Sequence, residues 1–94
     1  MTRQTTPPAW ASFAQQIGLR LHEARIAAGM SQEQLAVRAG ITRATYSQLE
    51  KGLTRPGVAA NPTIYTLVSL SQTLGLTLAD LIPDEVPDVS RWAE

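Results

Sequence analysis

The sequence predicts an all-α chain of five helices, and three observations carry that prediction. Apolar residues recur at three- and four-residue spacing along most of the 94 residues. Side chains suited to capping, Ser31, Thr42, Asn61 and Thr77, stand at the start of successive periodic runs, while Gly29, Gly40, Gly52 and Gly75 stand at their ends. Proline falls where helices begin, at Pro8 and Pro62, and where the last one must stop, at Pro83.

The first helix enters through Pro7-Pro8, because the fixed φ of proline is tolerated in a first turn; residues 1–7 form a polar, disordered arm before it. Trp10, Phe13 or Ala14, Ile17, Leu21 and Ala24 repeat at helical spacing until Gly29. The second helix is capped by Ser31, with Gln34 closing a capping box and Met30 and Leu35 placed as a hydrophobic staple. Gly40 ends it in the left-handed conformation, and Ile41 returns to the core. Thr42 caps a third helix from Arg43 to about Lys51, stopped at Gly52, with Ile41 and Tyr46 as its staple. Two helices joined so closely must cross tightly, and Ala36 supplies the small residue at the crossing. The Tyr46 ring packs inward, so its hydroxyl needs a partner.

Residues 53–61 then form a loop with a turn signal at Pro56-Gly57. Asn61 is expected to cap the fourth helix with Pro62 at its first position, with Ile64, Leu67, Val68 and Leu74 as its apolar stripe up to Gly75. Thr77 and Asp80 form a second capping box for a short fifth helix, stapled by Leu76 and Leu81. The reading divides the chain into the arm, a domain over residues 8–82 and an acidic tail over 83–94, with Val86, Val89 and Trp92 as apolar anchors in the tail.

A chain of this size makes one small domain that buries only ~60–65% of its unfolded surface, so association with a second copy would help it. Without cysteine it has neither a disulfide framework nor a thiolate metal site, and a reducing cytoplasm suits it. The start of the chain lacks an apolar run of signal-peptide length. Polar residues interrupt the uncharged stretch 56–79, which therefore does not read as a membrane span. With one histidine, His22, and no paired-carboxylate or nucleophile–base constellation, no enzymatic chemistry, cofactor or metal is expected; His22 itself reads as a surface residue. The formal net charge is zero but unevenly spread, +4 over residues 1–55 and −4 over residues 56–94. A basic half can face phosphates while an acidic half points away.

The stretch 31–52, SQEQLAVRAGITRATYSQLEKG, resembles the helix-turn-helix of the phage-repressor (Xre-type, lambda-repressor-like) DNA-binding family. Leu35, Ala36, Gly40, Ile41 and Leu49 occupy its structural positions, and the likeness extends over about residues 17–82. Two features depart from it: the aromatic Tyr46, where the family usually has an aliphatic residue, and a longer link after Gly52. The resemblance implies a cytoplasmic bacterial or phage regulator, most simply a repressor, that binds double-stranded DNA as a homodimer on a palindromic operator. The third helix would lie in the major groove.

The base-contacting positions then fall on Thr42, Arg43, Ala44, Ser47 and Gln48. Arg43 can fork onto guanine, Gln48 onto adenine, and Thr42 or Ala44 can meet a thymine methyl. Phosphate contacts fall to Gln32 at a helix start, to Arg25, and to Lys51, Thr54 and Arg55 after the reading helix. Arg25 and Glu50 pair in the family to orient that helix; as a semi-exposed pair they would contribute ~0.2–1 kcal/mol. A subunit interface is expected from the fifth helix, through Leu78, Leu81 and Ile82, aided by Trp10, Phe13 and Trp92. An alternative on the same fold is a protein-interaction module such as the antitoxin of a toxin–antitoxin pair, bound through the acidic tail and the added first-helix turns.

Overall fold

The structure, a computed structural model, describes residues 8–90. The expected arm at 1–7 and Trp92 lie outside the described residues. Among the described residues there are five helices: α1 (Pro8–Ala27), α2 (Gln32–Ala39), α3 (Arg43–Glu50), α4 (Ile64–Thr73) and α5 (Leu78–Leu81). Helix α3 packs against α1 and α2, α4 against α2 and α5, and α5 also against α1. One apolar core joins Phe13, Ile17 and Leu21 of α1 to Leu35, Ala36, Tyr46, Leu49, Leu67, Leu70 and Leu81.

The local signals act as expected. Ser31 Oγ accepts from the Gln34 N–H while the Gln34 side chain accepts from the Ser31 N–H, and Thr77 with Asp80 repeats the arrangement. Gly40 adopts φ 80°, which lets the Ile41 N–H turn back onto the Ala36 carbonyl. Thr42 caps α3 by accepting from the Thr45 N–H at 3.0 Å.

Four expectations need correcting. Residues after Gly52 are an antiparallel hairpin rather than a loop: β1 (Leu53–Arg55) pairs with β2 (Val58–Ala59) around Pro56-Gly57. The cap of α4 is Thr63, whose hydroxyl accepts from the Thr66 N–H, and not Asn61. Its preceding residues are held by bonds from the Ala60 N–H to the Gly52 carbonyl at 2.8 Å and from Trp10 Nε1–H to the Ala60 carbonyl at 2.9 Å, so the helix begins later. The inward face of α4 is Leu67, Leu70 and Ser71, whereas Ile64 remains 66% exposed. Finally, Leu81 and Phe13 are buried inside the chain's own core, so neither offers the free surface that a subunit contact requires.

Trp10 instead fastens the hairpin to α1. Trp10→Phe keeps most of the ring contact and removes one hydrogen bond, so thermal or denaturant unfolding should show a loss of about 1 kcal/mol, with faster amide exchange at Ala60. A loss below a few tenths would show the indole bond to be idle. Arg20 has a comparable role at the other end of the core, donating through Nη1 to the carbonyls of Asp80 and Ile82, both at 3.2 Å, and so tying α1 to α5. The start of the tail returns along α1, where Glu85, Val86 and Pro87 line a concavity with Ala9, Ser12, Phe13 and Gln16. Among the described residues no helix is long and apolar enough to cross a membrane.

Candidate nucleic-acid interface

The outward side of α3 begins at its cap. Thr42, Arg43, Ala44 and Thr45 are exposed in succession, Ser47 and Gln48 are half-buried, and Tyr46 and Leu49 face the core. Thr45 adds to the positions expected from the sequence: it lies one turn from Thr42 and accepts its hydroxyl hydrogen at 2.9 Å. Gln48 is less free than expected: its amide oxygen is buried with no hydrogen-bond partner among the described residues. To present both amide atoms to an adenine the side chain must rotate outward, a motion that also gives the oxygen access to a donor. Lys51 follows as an exposed C-cap, and Thr54 and Arg55 are exposed on the hairpin.

What fixes α3 is a knot of hydrogen bonds on the Glu50 carboxylate. Arg25 Nε donates to Oε2 at 2.6 Å and Arg25 Nη2 reaches Oε1 at 3.4 Å. The Tyr46 hydroxyl donates to Oε2 at 2.5 Å, and Gln32 Nε2 donates to Oε1 at 3.0 Å. His22 Nδ1 also lies 3.2 Å from Oε1. Helices α1, α2 and α3 therefore meet on one carboxylate. The remaining guanidinium nitrogen, Arg25 Nη1, donates to the Met30 carbonyl at 2.9 Å, so each nitrogen of Arg25 has a partner inside the protein.

The ion pair is not semi-exposed, as its sequence suggests. The Arg25 and Glu50 side chains are 11% and 7% accessible. Burial by itself would raise the Glu50 carboxyl, but the hydrogen bonds from Arg25, Tyr46, Gln32 and His22 outweigh it and hold the group down at about 2. Burial, then the neighbouring carboxylate, push the Tyr46 phenol well above its ordinary value. The charge on Arg25 is favoured by its hydrogen bond to Glu50. The hydroxyl of Tyr46 thus finds its required partner, and His22, expected at the surface alone, belongs to the knot.

Two glycines let the end of α3 approach α1. A Cβ on Gly18 would lie 2.5 Å from the carbonyl oxygens of Leu49 and Glu50. One on Gly52, which adopts φ 77°, would lie 2.8 Å from Gln15 Cα. Gly18 is not among the residues singled out above; a glycine inside an apolar-periodic helix is the signal in the sequence of such close backbone approach.

With Arg20 and Arg25 engaged internally, the exposed cations of the basic half among the described residues are Arg38, Arg43, Lys51 and Arg55. Three of these lie on or just after α3, so the charge is concentrated where the exposed first turn, the end of α3 and the hairpin make one surface. Such a surface can donate hydrogen bonds to base edges and to phosphates, and its polar contacts are carried on a helix whose orientation is fixed from within.

Residues 21–81 match the helix-turn-helix family of that description. An uncharacterized HTH-type transcriptional regulator, y4dJ, of Sinorhizobium fredii (strain NBRC 101917 / NGR234), is 33% identical over 77 residues, covering 80% of this chain and 92% of that protein. Among solved structures, the restriction-modification controller protein C.AhdI from Aeromonas hydrophila superposes with a TM-score of 0.67 at 30% identity, covering 76% of this chain and 98% of that one. ComR from Streptococcus suis superposes with a TM-score of 0.61 at 26% identity, over 78% of this chain but only 22% of its own length. Together with the capped α2–α3 pair and its buried Ala36 crossing, these likenesses establish that the chain belongs to the Xre-type helix-turn-helix family of transcriptional regulators and has its DNA-binding fold.

Proposed function

We propose that this protein is a sequence-specific double-stranded DNA-binding regulator, a repressor in its simplest form, acting as a homodimer on a palindromic operator. The observation that carries the reading is the exposed, polar first turn of α3, held at a fixed angle by the buried Glu50 knot. Arg43 reads guanine; Thr42, Ala44, Thr45, Ser47 and a rotated Gln48 complete the base-facing side. The start of α2 takes a phosphate with Gln32, whose second amide hydrogen is not used by Glu50. Lys51, Thr54 and Arg55 take the phosphates beyond α3. Arg25, 11% accessible and bonded to Glu50 and the Met30 carbonyl, orients the site.

Selection of binding sites from random DNA tests this reading, which expects half-sites about one helical turn apart. On the selected duplex, Arg43→Ala should weaken binding by ~1–3 kcal/mol and much less on a scrambled duplex. Gln32→Ala should weaken both by a similar factor with an unchanged salt slope, because a neutral amide releases no counterion, whereas Lys51→Ala should flatten the slope by about one. Equal losses on both duplexes for Arg43→Ala would make that residue a phosphate contact and leave Gln48 and its neighbours as the readers.

The subunit contact moves from Leu81 and Phe13 to surfaces that remain open. Leu78 and Ile82 are half-buried, and Ile64 and Tyr65 project from the first turn of α4. Trp10, Ile64 and Ile82 border a largely apolar concavity beside them. Tyr65 is 83% exposed and contributes little to the core, so Tyr65→Asp should leave the melting temperature nearly unchanged while shifting the protein from dimer to monomer in sedimentation at roughly tens of micromolar. A wild-type protein that stays monomeric even on its operator would remove the dimer from the proposal.

A further inference from the structure

We infer that His22 is a further DNA-backbone contact, one that operates through its proton and makes binding tighten as the pH falls. The inference rests on the DNA-binding reading above and adds to it a residue and a condition. His22 Nδ1 lies between two groups of opposite demand: Glu50 Oε1, an acceptor, at 3.2 Å, and Arg25 Nη2, a donor, at 3.3 Å. A neutral imidazole satisfies one of them at a time, accepting from Arg25 or donating to Glu50. Protonation settles the choice, since Nδ1 then has a hydrogen and donates to Glu50, while Arg25 keeps its shorter bond to Oε2 through Nε.

The consequence falls on the phosphate site. Glu50 Oε1 is the oxygen that also holds the Gln32 amide, so His22 on α1 and Gln32 at the start of α2 converge on one atom. The His22 side chain is 48% accessible, and its Nε2 has no hydrogen-bond partner among the described residues. Through Glu50 Oε1 the protonated ring stands next to the Gln32 side chain, and its accessible part offers a charged N–H to the phosphate that Gln32 and the free amides of the helix end receive.

The other groups facing the ring do not change charge over the range in question. Arg25 of α1 stays charged, Glu50 of α3 stays ionised and the Tyr46 phenol stays protonated, while α2 presents the uncharged Gln32 amide. His22 is the one histidine of the chain, so a substitution there isolates the response. A contact with the backbone carries no sequence information, so the effect must be the same on every duplex.

The test uses the full chain, the duplex recovered by selection at pH 8 and a scrambled duplex of equal length, titrated at pH 8 and pH 5.5 and at several salt concentrations. Wild type should bind both duplexes about tenfold more tightly at the lower pH, as one hydrogen bond to a charged group allows, with a salt slope steeper by about one. His22→Gln, which can still donate to Glu50, should lose that pH response, and its melting curve at each pH checks that it is folded. The α-amino terminus also titrates near this range but is present in both proteins, so the same tightening in His22→Gln would overturn the assignment. A wild type with no pH response would overturn it too. Failure to select or bind any duplex at pH 8 would instead reject the DNA-binding reading, and this inference with it.

Discussion

Replacing Glu50 by glutamine should lower stability by about 3 kcal/mol, because it leaves the buried Arg25 guanidinium facing a neutral amide after its desolvation has already been incurred. The Tyr46 hydroxyl and the Gln32 amide lose a charged acceptor in the same step. For a domain of this size the melting temperature should fall on the order of 15 °C. The double variant Arg25→Met with Glu50→Leu should recover much of the stability, since an apolar pair can replace a buried ion pair, yet it should not recover operator binding. That contrast separates holding the chain together from setting the angle of α3. A loss below about 1 kcal/mol in Glu50→Gln would mean that the pair behaves as a solvated surface contact despite its burial.

The same carboxylate sets an acid limit. Its ordinary value is 4.5 and the folded protein holds it at about 2, so the folded state binds fewer protons than the unfolded state between those values. Its contribution is therefore complete above pH 4.5 and is lost as the pH falls towards 2. The gap in stability between wild type and Glu50→Gln should be full at pH 7 and should shrink over that interval. A gap that stays constant down to pH 2.5 would show that ionisation of Glu50 is not what the fold depends on.

Gly18→Ala should destabilise the protein by about 2 kcal/mol, although alanine in a helix interior ordinarily gains about 1 kcal/mol over glycine. The added methyl carbon would stand 2.5 Å from two carbonyl oxygens at the end of α3, and backbone atoms cannot rotate aside as a flexible side chain can. Relief requires α3 to move off α1, which also disturbs the Arg25–Glu50 geometry at the same end of the helix. Operator affinity per folded molecule should therefore fall along with the melting temperature. An increase in stability on this substitution would show that the two helices have room to separate without harm.

The parts of this protein that the sequence determined alone are those whose physics closes within three or four residues. Ser31 with Gln34, Thr42 with Thr45, and Thr77 with Asp80 satisfy helix-end amides from side chains one turn away, and Gly40 turns the chain by its own conformational freedom. The order of the helices and the outward face of α3 follow from that local information and from the family resemblance. Where the outcome depends on residues far along the chain, letters alone did not suffice. Asn61 lost the cap of α4 to Thr63 because the hairpin holds the residues before it through Gly52 and Trp10. Phe13 and Leu81 look like surplus apolar residues until the packing of α5 and the returning tail against α1 encloses them. The depth of the Arg25–Glu50 pair, the enlistment of His22 and the need for Gly18 were decided by how closely α3 lies on α1. Burial and desolvation are properties of the assembled helices, since neither exists until distant segments exclude water from one another.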